Sequence, residues 1–175
     1  LKQLGSLNEL FGPMQSITTD SRVTFESSLT AAEFGKDREK FLGDLTQKMG
    51  ESTELPTIEE IERVWYEIMR EMKATGEVSR FSATVINVDG TQTECSVVRI
   101  GVYNAVCGNS YLEYVPTKGQ YQFLARQPAG RYTSSAGRVS DADASSGYVS
   151  FSVDPSGPSG GCLLYTSDAA DECDS

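Results

Sequence analysis

The spacing of apolar residues changes once along this chain, at Gly76, and this change limits the folds open to it. Before Gly76, apolar residues recur every three or four positions, which is the period of a helix with one buried face. From Glu77 onward, the chain is rich in β-branched and aromatic residues separated by turn-forming pairs. Helices followed by strands are typical of the α+β class. We predict an N-terminal helical arm, followed by a helix packed on a small antiparallel β-barrel or sandwich.

The helical arm is predicted at residues 1–50. Ser6 and Glu9 have the spacing of a capping box, in which both side chains bind free amides at a helix start. Pro13 predicts a kink or a restart, because proline cannot donate a helical hydrogen bond. A second helix is predicted over about residues 37–49. We interpret the arm as packed helices, with the end of a coiled coil as the alternative.

The clearest predicted helix ends near Gly76. Thr57 and Glu60 form another capping box, and Glu59 with Arg63 predicts an ion pair on the solvent face. One apolar stripe of this helix consists of Ile58, Ile61, Val64, Trp65, Ile68, Met69 and Met72. We expect the stripe to belong to the core rather than to a ligand site. We also expect this helix to cover one open face of the barrel.

Strand composition begins at residue 78. The predicted strands lie at residues 78–87, 91–106, 111–115 and 120–126, with a last one at 148–153. Asp89-Gly90 and Gly108-Asn109 are turn signals between them. Four or five antiparallel strands at this spacing are typical of a small barrel or sandwich. After Tyr132 the chain is rich in Ser, Ala, Gly and Asp, and we expect it to be loosely structured.

The sequence predicts four parts along the chain. These are the helical arm at 1–50, a helix plus antiparallel β domain at 51–153, a linker at 154–161 and a tail at 162–175. The tail resembles the translation of a transposon adapter used in DNA library preparation, so we expect it to be non-native and without function, with a natural acidic tail as the alternative. We therefore expect the native sequence to be cut near Gly161. Missing segments at the front stay open, since Leu1 is not a start methionine.

Charge and histidine content argue against several functions. The 175 residues carry a formal net charge of −10, and four acids of the tail contribute to it. An acidic chain does not suit nucleic acid, whose phosphates need a basic face. The chain has no histidine, so the commonest general base and the commonest metal ligand are both absent. No run of about 18 apolar residues, the length that spans a bilayer, is present in the sequence.

Cys95 and Cys107 are the cysteines outside the tail. They either form a disulfide in an oxidising compartment or are two small buried apolar side chains, and the sequence leaves both alternatives open. Their spacing is not that of a C-x-x-C metal site, and no second ligand pair accompanies them. We predict no metal site and no cofactor.

Catalytic residues are not predicted either. A nucleophilic Ser, Thr or Cys needs a neighbouring base, and no G-x-S-x-G motif is present. The carboxylate pairs Glu59/Glu60 and Asp141/Asp143 are formal candidates for glycosidase chemistry, but we interpret them as a solvated helix face and a polar loop. We predict that the chain is not an enzyme, with a carboxylate-based hydrolase as the least favoured alternative.

One surface segment is typical of a partner contact. Its candidate residues are Arg126, Gln127, Pro128, Arg131 and Tyr132. Arginine and tyrosine are enriched in interface hot spots, and a proline turn presents them together. The alternative is a turn that ties the last barrel strand to its neighbour, with the arginines pairing surface acids. The exposed face of the first helix is a second candidate contact surface.

Two stretches of the chain resemble a known family. The first is ELPTIEEIERVWYE at residues 54–67, continuing into 69–72, and the second is VRIGVYNA at 98–105, followed by 111–112 and 125–128. With residues 7–12, they resemble the N-terminal periplasmic extension of MotA/TolQ/ExbB family proton-channel proteins. These are the large ExbB-like components of TonB energy-transduction systems in Gram-negative bacteria. The likeness covers about residues 4–155.

The resemblance implies an inner-membrane protein in which a signal sequence and a coiled coil precede this domain and transmembrane helices follow it. Those helices assemble with an ExbD-like partner and pass protons, which couples the ion gradient to a TonB-like protein. That protein drives uptake of iron complexes through outer-membrane receptors. The proton-handling positions lie outside this chain, which meets the membrane only through missing C-terminal segments.

On this expectation the chain is a non-catalytic periplasmic interaction or scaffold domain, and the complete protein is a homo-oligomer. The main alternative is a soluble periplasmic domain that binds a small ligand in the barrel mouth. A pocket lined by Trp65 or Tyr103, with converging polar groups, would favour that alternative.

Overall fold

The structure is a computed structural model that describes residues 2–51, 55–143 and 145–156, with side chains from Phe11 onward. The predicted tail at 162–175 lies outside the described residues, as does most of the predicted linker. The chain divides into two compact units, with the boundary between Lys73 and Ala74. We call them the helical unit and the barrel unit.

Four helices lie in the described residues of the helical unit. They are α1 (Lys2–Ser27), α2 (Ala31–Phe34), α3 (Lys36–Glu51) and α4 (Ile58–Thr75), whose last two residues belong to the barrel unit. The second predicted helix is confirmed as α3. The predicted restart at Pro13 is wrong, because α1 continues through that residue. Since α1 is already helical from Lys2, Ser6 lies inside the helix and not at its start.

The core of the helical unit lies between α1 and α3, with α4 against one side. Its buried apolar side chains are Phe25, Leu42, Leu45, Met49 and Val64, with Phe11, Phe41 and Ile68 partly buried beside them. The residues of α3 recur at three- and four-residue spacing, as expected for a helix that buries one face. Residues 11–51 are therefore packed helices, joined by the short helix α2.

The barrel unit contains a closed five-stranded β-barrel. Its strands are β1 (Val78–Ile86), β2 (Gln92–Ile100), β3 (Asn104–Cys107), β4 (Ser110–Val115) and β5 (Gln120–Phe123). Consecutive strands pair antiparallel, and β1 pairs with β5 in parallel to close the barrel. The parallel pair follows from the odd strand number, since the first and fifth strands of a meander run in the same direction. The α+β class and the barrel are confirmed.

Gly101 divides the single strand that was predicted at residues 91–106 into β2 and β3. Its φ is +56°, a left-handed conformation that glycine adopts at little cost. The Gly101 amide donates to the carbonyl oxygen of Glu77 at 2.9 Å. A Cβ atom at this position would lie 2.6 Å from the carbonyl oxygen of Thr75. The turn therefore needs glycine both for its dihedral angle and for the close approach of backbone.

Two further links hold β2 in place. The buried guanidinium of Arg99 donates to the carbonyl oxygens of Ala74, at 2.9 Å, and Gly101, at 2.6 Å. The Ala74 carbonyl lies in the last turn of α4, where backbone acceptors have no partner inside the helix. A disulfide joins Cys95 of β2 to Cys107 of β3, with Cα atoms 6.3 Å apart. The disulfide alternative for these cysteines is the one that the structure contains.

A fifth helix, α5 (Gly130–Asp141), occupies the segment that was expected to be loosely structured. Its buried Ala136 and Val139 pack against Val98, Val106 and Tyr111 of the barrel. The small residues of this segment allow the helix to approach closely. A Cβ atom on Gly137, for example, would overlap the side-chain amide of Asn109. The composition that suggested a loose loop is therefore the composition of a closely packed helix.

The C-terminal end of α5 is covered by a side chain from β1. Arg80 donates to the carbonyl oxygens of Val139, Ser140 and Ala142 at distances between 2.5 and 3.1 Å. A cation at this end is favourable because free carbonyls and the helix dipole make it negative. The strand predicted at 148–153 is wrong; this segment forms no ladder, although Phe151 packs on the core.

We predict that Gly101→Ala lowers the free energy of unfolding by about 1–3 kcal/mol, because it adds left-handed strain and a backbone overlap. Gly108→Ala is the matched control, since Gly108 also has positive φ but nothing lies within 4 Å of the position that its Cβ atom would take. Urea unfolding followed by circular dichroism measures both. Equal losses in the two variants would show that the Thr75 carbonyl contact contributes nothing.

Candidate functional site

Helix α4 turns most of its apolar side chains toward solvent. The exposed residues are Ile58, Ile61, Trp65, Met69 and Met72, with exposed fractions from 39% to 72%. We call these five residues the α4 stripe; Tyr66 lies exposed beside it. Of the seven apolar residues predicted for the core, Val64 and Ile68 are the two that contact it. The prediction of a buried stripe is therefore wrong for five of the seven.

The opposite face of α4 buries two acids. Glu67 is 4% exposed and Glu71 is 8% exposed. The Glu71 carboxylate accepts hydrogen bonds from the hydroxyls of Ser28, at 2.5 Å, and Thr30, at 2.6 Å. It also accepts one from Arg38 Nη1 at 2.8 Å, which makes a buried ion pair. Helix α4 therefore buries two acids on one face and exposes an apolar stripe on the opposite face.

Arg38 is held on several sides. Its Nη2 atom donates to Thr30 Oγ1 at 3.1 Å and to the Phe25 carbonyl at 3.3 Å. The guanidinium carbon lies 4.6 Å from the ring centroid of Phe25 and 5.1 Å from that of Phe34. A buried ion pair is costly to desolvate, and additional hydrogen bonds and cation–π contacts are what offset that cost.

Charged contacts also attach α4 to α3. Lys48 Nζ lies 3.0 Å from both carboxylate oxygens of Glu60. Arg63 Nη2 donates to Asp37 at 2.7 Å, and its guanidinium lies over the ring of Phe41, 4.2 Å from the centroid. The ion pair that was predicted between Arg63 and Glu59 is replaced by this bond to Asp37. A partner on a neighbouring helix cannot be read from spacing along one helix.

The capping box of Thr57 and Glu60 is confirmed. The Thr57 amide donates to Glu60 Oε2 at 2.7 Å, and the Glu60 amide donates to Thr57 Oγ1 at 3.2 Å. The bond from the Thr57 amide is the main reason that the pKa of the Glu60 carboxyl lies below its ordinary value, and Lys48 lowers it further. Glu60 is thus held ionised as a helix cap.

Asp143 also acts as a local cap. Its Oδ1 atom accepts from the hydroxyl and amide of Ser145, at 2.6 and 2.8 Å, and from the hydroxyl of Ser146 at 3.0 Å. The Ser145 hydroxyl bond is the main reason that the pKa of Asp143 is lowered. A general acid in a glycosidase needs a raised pKa. The pKa shifts of Glu60 and Asp143 are in the opposite direction.

Two of the predicted contact residues serve the fold. The side-chain amide of Gln127 pairs with both backbone groups of Tyr111 in β4: its Oε1 accepts at 2.8 Å and its Nε2 donates at 3.0 Å. Pro128, the next residue, is buried. Gln127 therefore ties the chain after β5 to β4, which is the arrangement described by the alternative interpretation of this segment.

The remaining candidates lie nearer the surface. Arg126 and Arg131 are exposed, and Tyr132 is partly buried against the barrel core. Arg131 donates to the Tyr132 hydroxyl at 2.8 Å and lies over its ring. On α1, the other predicted contact surface, Ile17 and Val23 are exposed. From Phe11 onward, where the structure describes side chains, these candidates form no continuous apolar stripe comparable to that of α4.

An apolar groove of about 410 Å³ lies in the barrel unit. Its apolar lining includes Val78, Val98, Ile100, Val149, Phe151 and Val153. Arg80 is the charged residue of the lining, and it already donates to three carbonyls of α5. Neither Trp65 nor Tyr103 lines this groove, although a pocket around them was the feature that would favour a small-ligand function.

Neither a metal cluster nor a membrane-spanning helix occurs in the part of the chain that the structure describes. Within residues 2–51, 55–143 and 145–156, no three Cys, Asp or Glu side chains are grouped so that they could hold a metal ion. No helix in these ranges combines the length and the apolar character that crossing a bilayer requires.

No protein-family description, no curated protein and no solved structure matches this chain. The surface feature that needs an explanation is the exposed α4 stripe.

We predict that Glu71→Ala lowers the free energy of unfolding of the helical unit by about 3–5 kcal/mol, because it leaves Arg38 buried without its counter-charge. The control is Glu26→Ala, which removes the exposed ion pair of Arg22 and Glu26 and should cost less than about 1 kcal/mol. Urea unfolding measures both variants. Similar costs would mean that burial of the Arg38–Glu71 pair has no special effect on stability.

The lowered pKa of Glu60 predicts a pH dependence. A carboxyl whose pKa is lower in the folded chain stabilises that chain above its unfolded pKa, near 4.5, and loses this effect as the pH falls through the folded value. Glu60→Gln should therefore be less stable than the wild type at pH 7, by about 0.5–1 kcal/mol. The difference should shrink as the pH falls below 4.5. Thermal unfolding at several pH values measures it, with Glu62→Gln as the control; a difference that does not change with pH would contradict the prediction.

Proposed function

We propose that this chain is a non-catalytic periplasmic interaction domain of an ExbB-like component of a TonB energy-transduction system. The α4 stripe is the observation that carries the proposal. Soluble proteins rarely expose a continuous apolar patch of more than roughly a few hundred Å² unless the patch binds something. The α4 stripe places five large apolar side chains, each 39% to 72% exposed, on one side of a single helix.

The energetics of α4 support a partner for the stripe. Fully burying one large apolar side chain contributes about 1.5–3 kcal/mol. The five side chains of the α4 stripe remain 39% to 72% exposed, so part of this contribution is not realised on the outer face. The inner face of α4 buries Glu67 and Glu71. A helix with these two faces is stabilised by a second surface that covers the outer one. Association would still have to exceed the entropy that the partners lose on binding.

The disulfide between Cys95 and Cys107 supports the proposed location in the periplasm. Disulfides persist in oxidising compartments such as the bacterial periplasm and are rare in the cytosol. A periplasmic location agrees with the resemblance to the extension of ExbB-like proteins. That resemblance is also the basis for the proposed partners, an ExbD-like and a TonB-like protein. The chain would act as a scaffold that spaces or joins subunits, with proton transfer in helices outside it.

A ligand-binding function has weaker support from the geometry. The groove of the barrel unit offers apolar walls, but ligand sites usually add a few polar groups that fix the orientation of the ligand. Arg80, the charged group of the groove, already binds the carbonyls at the end of α5. The α4 stripe is exposed and carries five large apolar side chains, so an interaction function explains more of the surface.

The test of this proposal replaces Trp65 and Met69 together by Glu in the complete membrane protein of the source bacterium. We expect uptake of iron complexes to fall, since each 1.4 kcal/mol of lost contact weakens assembly about tenfold. Protein level, followed by immunoblot, should not change, because both side chains are exposed. Tyr148→Glu, at an exposed aromatic of the barrel unit, is the control and should leave uptake normal. Normal uptake with the α4 double variant would count against the proposal.

A further inference from the structure

We propose that the α4 stripe binds the α4 stripe of a second copy of this chain, with the two helices antiparallel. The inference rests on the proposed function for the premise that the stripe is an interface, and it names the partner. Two features of α4 carry it, the order of the apolar residues and the positions of the charges beside them.

The spacing of the stripe is symmetric about Trp65. From Ile58 to Met72 the steps between stripe residues are three, four, four and three, so the order is the same from either end. In an antiparallel pair centred on Trp65, Ile58 therefore faces Met72 of the second copy, and Ile61 faces Met69. A two-fold interface requires a surface that is complementary to itself. The α4 stripe meets this requirement along its whole length.

The centre of this symmetric stripe carries its largest side chain. Trp65 is 63% exposed, and the two-fold axis would pass beside it. Buried tryptophans near the middle of an interface are typical hot spots, because they exclude water over a large area. The two Trp65 rings would pack against each other and against the neighbouring Met69 side chains, whose flexible thioethers favour aromatic contacts.

Charges beside the stripe favour the antiparallel direction. Glu59 and Lys73 lie on the same flank of α4, since fourteen residues are close to four full turns of a helix. In an antiparallel pair with a two-fold axis, this flank faces the same flank of the second copy. The axial offset between Glu59 and Lys73 of the second copy is then about 3 Å, given a rise of about 1.5 Å per residue. The two-fold symmetry of the dimer places two such Glu59–Lys73 pairs in the interface.

A parallel pair lacks that complementarity. In a parallel two-fold pair, the flank of Glu59 and Lys73 faces the opposite flank of the other helix. That flank carries Val64, Ile68 and Thr75, with no basic residue. Opposite charges that meet only in one direction are a common way in which paired helices select their orientation. The charge pattern and the apolar order of α4 thus select the same arrangement.

The experiment uses the 175-residue chain, with Cys162 and Cys173 replaced by Ser so that the tail forms no cross-links. Sedimentation velocity should show a dimer of 19.0 kDa chains. Trp65→Glu places two carboxylates together at the two-fold axis, and we expect dimer affinity to fall about 30-fold or more. Circular dichroism should be unchanged, because Trp65 is exposed in the single chain. Tyr148→Glu is the control, and its dimer should persist.

The relative direction of the two α4 helices in the dimer is tested by cross-linking and by charge exchange. Ile58→Cys and Met72→Cys proteins, tagged to differ in mass, are mixed and oxidised; antiparallel pairing predicts the mixed disulfide. In that arrangement, position 58 of one copy would lie about 21 Å from position 58 of the other, and the same holds for position 72. Two chains with the same substitution should therefore not form a disulfide. Glu59→Lys and Lys73→Glu should each weaken the dimer, and the double exchange should restore it. Links between like residues only would overturn the antiparallel arrangement.

The outcomes separate this inference from the proposed function. A chain that stays monomeric, or a dimer that Trp65→Glu leaves intact, overturns the self-association of α4. If the chain is monomeric while the Trp65/Met69 double variant still abolishes uptake, the proposed function stands and the stripe binds a different protein. If the dimer depends on Trp65 but uptake does not, the pairing stands and the proposed function fails.

Discussion

The buried ion pair between Arg38 and Glu71 determines which face of α4 is turned inward. Arg38 comes from α3 and is surrounded by Glu71, Thr30, the Phe25 carbonyl and two aromatic rings. A charge in such surroundings needs its counter-charge close by, because an unpaired buried ion is far costlier than an exposed apolar side chain. Glu71 therefore has to face inward, and the apolar residues on the other side of α4 have to face solvent. The α4 stripe and both functional proposals follow from this one requirement.

The barrel unit depends mainly on contacts to backbone groups. Strand β1 pairs with β5 to close the barrel, and Gly101 forms a left-handed turn. Arg80 and Arg99 donate to backbone carbonyl oxygens, and the bonds of Arg99 are buried. The disulfide between β2 and β3 restrains two strands that already pair with each other. Small residues in α5 allow that helix to pack closely on the barrel core. The described surface of the barrel unit includes an apolar groove, and several surface residues, Gln127 among them, serve the fold.

Several elements could be predicted from the sequence because their causes are local. The helix limits near Thr57 and the positions of the strands follow from caps, turns and side-chain periodicity within a few residues. The sequence missed α5 because its Ser, Ala and Gly residues suit either a loop or a closely packed helix, and contacts with Val98 and Tyr111 decide between them. It assigned the α4 stripe to the core because periodicity identifies an apolar face but does not show which way the helix is turned.

The sequence by itself determined that helices precede strands, that α4 has two unlike faces and that its apolar residues are spaced symmetrically about Trp65. These properties depend on the order of residues along one chain segment. Only the tertiary structure decided that Glu71 lies inside and Trp65 outside, and that Cys95 is bonded to Cys107. Both outcomes depend on groups far apart in sequence: Arg38 is 33 residues from Glu71, and the two cysteines meet because β2 and β3 pair. The orientation of a helix is set by the free energy of the groups it meets, which its own sequence does not contain.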